Sequence, residues 1–221
     1  MKNNKMSAKY IALSAMFIAV AYILVPLFKV VPNVAGFLSY EPKDAVIVIA
    51  GFIMGPMASF LISVIVSLIE MLTVSTTGPY GLLMNIVSTC SFALPAAVIY
   101  KRLHSRKGAV IGLVCGVAIM AACMLIWNYT VTPFYMGVDR AVVAGMLASV
   151  FLPFNLIKGG LNAALAMIIY KPVVNALRRT KLVEGSSAPA KKYFSAGHFV
   201  ALLAIIITLL LLFLALAGVI K

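Results

Sequence analysis

Charge is scarce in this chain of 221 residues: Asp, Glu, Lys and Arg make up 10% of it, and only five residues are acidic. Long polar stretches are missing as well. The longest, residues 178–195, reads as a linker and leaves no room for a sizeable soluble domain. Cysteine is sparse: Cys90, Cys115 and Cys123 all fall in apolar runs, with no CxxC and no nearby histidine. That excludes a disulfide framework and points to no metal site. The two histidines, His104 and His198, lie near polar connections and read as interfacial residues. No GxxxxGK[ST] loop and no soluble nucleotide-binding domain are present, so the chain carries no motor of its own. On the topology derived below, neither paired carboxylates nor a Ser/His/Asp set are expected within reach of each other, which argues against an enzyme. An inverted repeat is not evident either, and this weakens a secondary-transporter reading.

What is there is apolar. Hydrophobic residues make up 64% of the chain and the mean hydropathy is +1.12, the signature of a polytopic membrane protein. Residues 15–28 continue the first apolar run without a convincing cleavage site, so that run reads as a first helix rather than a signal peptide. The net charge of +13 is concentrated in three segments. These hold Lys2, Lys5 and Lys9; Lys101, Arg102, Arg106 and Lys107; and Lys171, Arg178, Arg179, Lys181, Lys191 and Lys192. The positive-inside rule places all three in the cytoplasm, with the N-terminus. The basic groups flank spans and form no continuous face, so nucleic acid is not a partner.

Parity then sets the topology. Helix 1 covers about residues 6–28 and is ended by Pro26 and Pro32. Helices at 44–54 and 57–74, divided by Gly55-Pro56, must both cross before helix 4, about 80–103, enters from outside. The 11-residue run at 44–54 is short against the ~20 residues of a full span. Segment 31–43 is therefore expected to dip below the surface and to form one wall of a pocket, since irregular backbone at that depth must be buried or line a cavity. Helix 5 covers about 108–132. Parity favours an outer, partly immersed segment up to Leu152, with helix 6 starting at Pro153 and ending near Leu177; proline suits a first helical turn. A last run, 199–220, reads as a lipid-facing seventh helix, an appendage behind the linker 185–189. The expectation is an all-α membrane bundle of six core helices plus a seventh, with domain 1–178, cytoplasmic linker 179–197 and an added C-terminal helix at 198–221.

Within this frame Lys158 stands out. An ionisable group inside a span is costly unless it faces a partner, a cavity or a ligand. The alternative is a lysine snorkelling to the outer interface. Polar and aromatic groups gather at the same level: Tyr40, Glu41, Asp44, Glu70, Tyr80, Asn85, Asn128, Tyr129, Tyr135, Asp139, Arg140 and Asn155. Such a cluster suits a flat, polar, aromatic ligand, with asparagines for a heterocycle's edge and Tyr or Phe faces for stacking. Each has a plainer reading, as belt tyrosines, helix-to-helix hydrogen bonds or interfacial acids. Ala8, Ala12, Ala15 and Ala19 form a small-residue stripe; spacing alone favours packing inside the bundle, and the other reading is docking to a partner membrane protein.

Several segments together resemble a known family. They are Ala15-x-x-x-Ala19; Tyr40-Glu41-Pro42-Lys43-Asp44; Gly51-Phe52-Ile53-Met54-Gly55-Pro56; Gly81-Leu82-Leu83-Met84-Asn85; Asn128-Tyr129; and Pro153-Phe154-Asn155-Leu156-Ile157-Lys158-Gly159. Across about residues 8–178 the chain is similar to the substrate-binding S components of energy-coupling factor transporters, bacterial vitamin importers, and among them to riboflavin-specific members. The resemblance implies a bacterial plasma-membrane protein with a six-helix bundle and an outward-facing vitamin pocket. It implies that the alanine face of helix 1 docks to a transmembrane coupling subunit driven by two ATP-binding subunits. It assigns flavin contacts to Asn128 and Lys158, beside which Asn155, Tyr40, Glu41, Phe154, Tyr80 and Asn85 are the expected binding residues. No cofactor, metal or catalytic residue is expected; riboflavin is the transported ligand. Ser39-Tyr40-Glu41-Pro42 departs from the aspartate- and phenylalanine-rich loop usual in the family. Another vitamin, or FMN with its phosphate on Lys158 and Arg140, is the alternative ligand. A stand-alone ion-coupled transporter or small membrane enzyme is the alternative class.

Overall fold

The computed structural model describes residues 8–180, 182–183 and 196–220. Lys2, Lys5, Met6, Lys181, Glu184, Lys191, Lys192 and the linker at 185–189 lie outside the described residues. Among the described residues the structure is all-α apart from one isolated bridge between Val34 and Leu38. Helix α1 spans Ala8–Phe28, α2 Lys43–Met54, α3 Pro56–Thr73, α4 Gly78–Leu103, α5 Arg106–Thr130, α6 Thr132–Met136, α7 Arg140–Met146, α8 Leu152–Arg179 and α9 Ala196–Leu216. Among the described residues six helical runs are long and apolar enough to cross a membrane, and α2 adds a short one at the centre.

At 12 residues, α2 is about 18 Å long, well under the ~30 Å hydrocarbon thickness. Its first nine residues, Lys43 to Gly51, are all buried, so it is a core helix enclosed on every side rather than an amphipathic one. The joint to α3 needs Gly55, whose φ of 98° is disfavoured for other residues, and Pro56 then supplies the first turn of α3. Helix α1 packs through Leu13, Phe17, Ala21 and Val25, a strict four-residue repeat on one face. Its alanine stripe points elsewhere: Ala8, Ala12, Ala15 and Ala19 are all exposed. Spacing alone favours packing inside the bundle for these residues; among the described residues the stripe is left uncovered.

Helices α4 and α5 approach closely because α5 presents Gly112 and Gly116. A Cβ at Gly116 would lie 2.4 Å from the Phe92 carbonyl oxygen, and one at Gly112 2.7 Å from that of Ala96. Without a hydrophobic force between helices in lipid, such backbone-to-backbone approach is what gives dispersion its reach.

Two expectations are corrected. The segment before Pro153 is not a separate immersed piece: Arg140–Arg179 runs on as one helical stretch of 40 residues. The reason is a π turn at Leu147–Phe151, where the Leu152 N–H reaches back to the Leu147 carbonyl. Pro153 has no N–H to give the preceding turn, and widening that turn lets the helix pass through the proline. Nor is the last helix a mere appendage. Although most of α9 is exposed, Phe213 is fully buried in a cluster with Val34, Leu38, Tyr40, Phe151 and Phe154. Gly159 and Gly160 divide the contacts of α8: a Cβ on the first would meet Met120 and Val117 of α5, one on the second Leu209 of α9.

Candidate functional site

A cavity of about 200 Å³ opens at the end of the bundle that carries the 29–42 connection. The connection supplies Lys29, Asn33, Phe37, Leu38, Ser39, Tyr40 and Glu41; α1 supplies Val25 and Phe28; α3 Glu70; and the 75–77 turn Ser75, Thr76 and Thr77. Met84, Asn85 and Ser88 come from α4, Met124 from α5, and Phe154, Asn155 and Lys158 from α8. The expected wall of irregular backbone is thus present. It is shaped by a minimal hairpin in which Val34 and Leu38 exchange N–H to carbonyl bonds of 3.0 and 2.9 Å around Ala35 and Gly36, both at positive φ.

A buried ion cluster forms part of the cavity wall through Glu41, Glu70 and Lys158 and continues behind it with Lys43 and Asp44. Lys43 Nζ pairs with Glu41 Oε2 at 3.0 Å and also with Glu70 Oε2. Lys158 Nζ lies 3.4 Å from Glu41 Oε2 and 3.6 Å from Asp44 Oδ2. Two further acceptors are used: Asn85 donates to Glu70 Oε1 at 2.9 Å and Thr89 to Asp44 Oδ1 at 2.6 Å, while Asp44 Oδ2 has the Lys158 charge nearby but no hydrogen bond. Buried charge survives only when paired and hydrogen-bonded, and here each of the five groups has at least one opposite partner. Three carboxylates face two ammoniums, so the cluster has a formal excess of one negative charge. In the connection between α1 and α2, burial alone would raise the Glu41 carboxyl. The Lys43 and Lys158 charges outweigh that and hold it well below the usual carboxylate range.

The local folding of α2 explains how the cluster is assembled. Pro42, at its N-cap, gives no side-chain cap. Asn162 of α8 takes that part: its Oδ1 accepts from Ala45 N at 3.1 Å, and its Nδ2 donates to the Glu41 and Lys158 carbonyls at 3.1 and 3.0 Å. The Ala45 N–H is shared with the Pro42 carbonyl, also at 3.1 Å, so Asn162 reinforces the first turn and ties Glu41 to α8.

Of the residues singled out from the sequence, Tyr40, Glu41, Asn85, Phe154, Asn155 and Lys158 line the cavity together. Tyr80 does not; it lines a small neighbouring cleft with Phe37, Trp127 and Tyr135. Asn128 does not reach the cavity surface. It is fully buried, donates to the Met124 carbonyl at 2.7 Å and accepts from Thr132 Oγ1 at 2.8 Å. Arg140 is also elsewhere, with its guanidinium 5.4 Å above the Tyr129 ring. Sequence reasoning passed over Lys43 and Asn162. Lys43 ends the segment expected to dip below the surface, and it is fully buried there as a charged member of the core. Asn162 had a readable signal: with Asn155 and Lys158 it falls at i, i+3 and i+7 on one helical face.

Residues 9–170 match the family model described as ECF transporter, substrate-specific component. The chain is 29% identical over 184 residues to "Riboflavin transporter RibU" of Staphylococcus aureus, covering 80% of this chain and 97% of that one. It is 30% identical over 168 residues to "Riboflavin transporter FmnP" of Bacillus subtilis, covering 70% and 86%. Among solved structures it resembles the S component of a bacterial ECF transporter, with a TM-score of 0.66 at 28% identity, over 76% of this chain and 97% of that one.

Proposed function

The chain belongs to the substrate-specific components of ECF transporters, and on that premise we propose that it captures riboflavin in the cavity between the 29–42 connection and α8. The observation that carries the reading is the make-up of that cavity. Phe28, Phe37, Tyr40 and Phe154 offer ring faces, while Asn33, Ser39, Asn85, Asn155 and Lys158 offer donors and acceptors around them. A flavin needs both: stacking for its tricyclic ring, and hydrogen bonds for the heterocycle edge and the ribityl hydroxyls. The names borne by the two relatives agree with this ligand.

Lys158 donates to a flavin carbonyl or hydroxyl, Asn155 and Asn85 bind its polar edge, and Tyr40 with Phe154 pack the ring. Asn128 joins only if its amide turns away from the Met124 carbonyl and Thr132, a rotamer change about one turn above the cavity wall. FMN is the weaker candidate. Arg140 lies away from the cavity, and both lysines of the ion cluster already face an excess of carboxylate, which disfavours a phosphate dianion.

No chemistry is done on the ligand. The cavity end faces outward and the basic helix ends face the cytoplasm, in keeping with the positive-inside rule. The 29–42 connection closes over the flavin, and an ATP-driven partner, a transmembrane coupling subunit with two ATP-binding subunits, completes transport. The exposed alanine stripe of α1 is the docking face for the coupling subunit, because small residues let a partner helix come close.

The test is the visible absorption spectrum of protein expressed in riboflavin-containing medium and purified in detergent. A flavin band that is released on denaturation and runs as riboflavin on chromatography is the expected result. A colourless protein that also leaves the fluorescence of added riboflavin unquenched would overturn the ligand.

A further inference from the structure

Helix α9 begins at Ala196, beyond residues 9–170 matched by the family model, yet its Phe213 reaches the back of the binding cavity. The Phe213 ring centroid lies 6.0 Å from that of Tyr40 and 6.2 Å from that of Phe154. Tyr40 and Phe154 line the cavity and Phe213 does not; it stands behind them. Phe28 of α1 continues the row, 6.1 Å from Tyr40. One aromatic from outside the matched region therefore joins the connection to α8.

Lipid tails are as apolar as leucine, so a helix such as α9 gains nothing by simply leaving them; it docks where packing is closest. Gly160 provides that place, with room for Leu209 where a Cβ would come within 2.9 Å. Most of the remaining surface of α9 faces outward, including Leu211 and Leu212. A plain membrane anchor would need neither the fitted glycine nor an aromatic wedged behind the site. The 29–42 connection, for its part, has only the Val34–Leu38 hairpin as internal backbone bonding, so its position depends on side-chain contacts.

We propose that α9 is an added wall of the binding site, in which Phe213 is a positioning residue that holds Tyr40 and the 29–42 connection against α8 and so slows escape of the bound ligand. The identity of the ligand rests on the riboflavin reading; the clamp rests on the ring contacts alone.

The experiment uses the full chain in lipid nanodiscs, with Phe213→Ala, Phe213→Leu and the outward-facing control Leu211→Ala. Two quantities are read: amide hydrogen exchange across residues 29–42 without ligand, and the rate at which riboflavin leaves. Loss of two ring pairs predicts, for Phe213→Ala, loop exchange and riboflavin release each faster by about tenfold. Phe213→Leu falls between, and Leu211→Ala changes neither. Loop exchange that is unaltered in both Phe213 variants, or that rises as much in Leu211→Ala, overturns the clamp. If Phe213→Ala does not fold, Phe213→Leu must still loosen the connection. If the parent protein binds no riboflavin, the flavin reading falls and the exchange measurement still decides the clamp.

Discussion

Lys158 Nζ lies 3.4 Å from Glu41 Oε2, joining residues 117 positions apart in the chain. The lysine that lines the cavity is thus already paired with an acid of the 29–42 connection. On the proposed function, binding at Lys158 would be coupled through this one carboxylate to the position of the connection. Hydrogen bonds to charged groups contribute about 1.5–3 kcal/mol, so Lys158→Ala is expected to weaken riboflavin binding by about 10- to 100-fold. Quenching of riboflavin fluorescence on titration measures it; an unchanged Kd would remove Lys158 from the site.

Lys43 answers for stability rather than for ligand. Replacing it with Met leaves Glu41 and Glu70 facing each other in the interior without their shared cation. Breaking a buried pair from one side costs about 3–5 kcal/mol. The thermal midpoint in detergent should fall sharply for Lys43→Met and recover in part for Lys43→Met combined with Glu70→Gln. Strict additivity of the two changes would show that the pair is not coupled.

The α4–α5 contact is expected to be intolerant of a single methyl. In Gly116→Ala the new Cβ meets the Phe92 backbone carbonyl, which cannot rotate away as a side chain would. The helices must separate, at about 1–3 kcal/mol for overpacking. Gly145→Ala is the control, since no atom lies within 4 Å of its added Cβ. Equal thermal midpoints for the two variants would contradict the close approach.

Ala15→Leu adds bulk to an exposed face of α1 and disturbs no packing within the chain. Riboflavin binding by the isolated protein should be that of the parent. Uptake into cells, which needs the coupling subunit, should be lost or strongly reduced. Normal uptake at normal expression would dismiss the alanine stripe as the docking face.

Much of this was legible in one dimension. Apolar runs, prolines and basic clusters determine a membrane helix bundle with a short second helix, because hydrocarbon admits no unpaired backbone and tolerates few charges. Lys158, Asn155 and Phe154 announce themselves as polar and aromatic groups opening a helix, and Tyr40 and Glu41 as irregular backbone beside a helix too short to span. The tertiary structure alone decided the rest. Lys43 reads as a loop-end cation until Glu41 of the connection and Glu70 of α3 are seen to enclose it. Asn128 reads as a ligand contact until its amide is seen bonded to Met124 and Thr132. Phe213 reads as one more lipid-facing residue until α9 is seen against Gly160 and Tyr40. Hydropathy and periodicity report what a residue costs in lipid or water and which face of its own helix it occupies. Which charges neutralise one another, and which ring stands behind which, depends on contacts between different segments that only the fold brings together, and no local pattern encodes them.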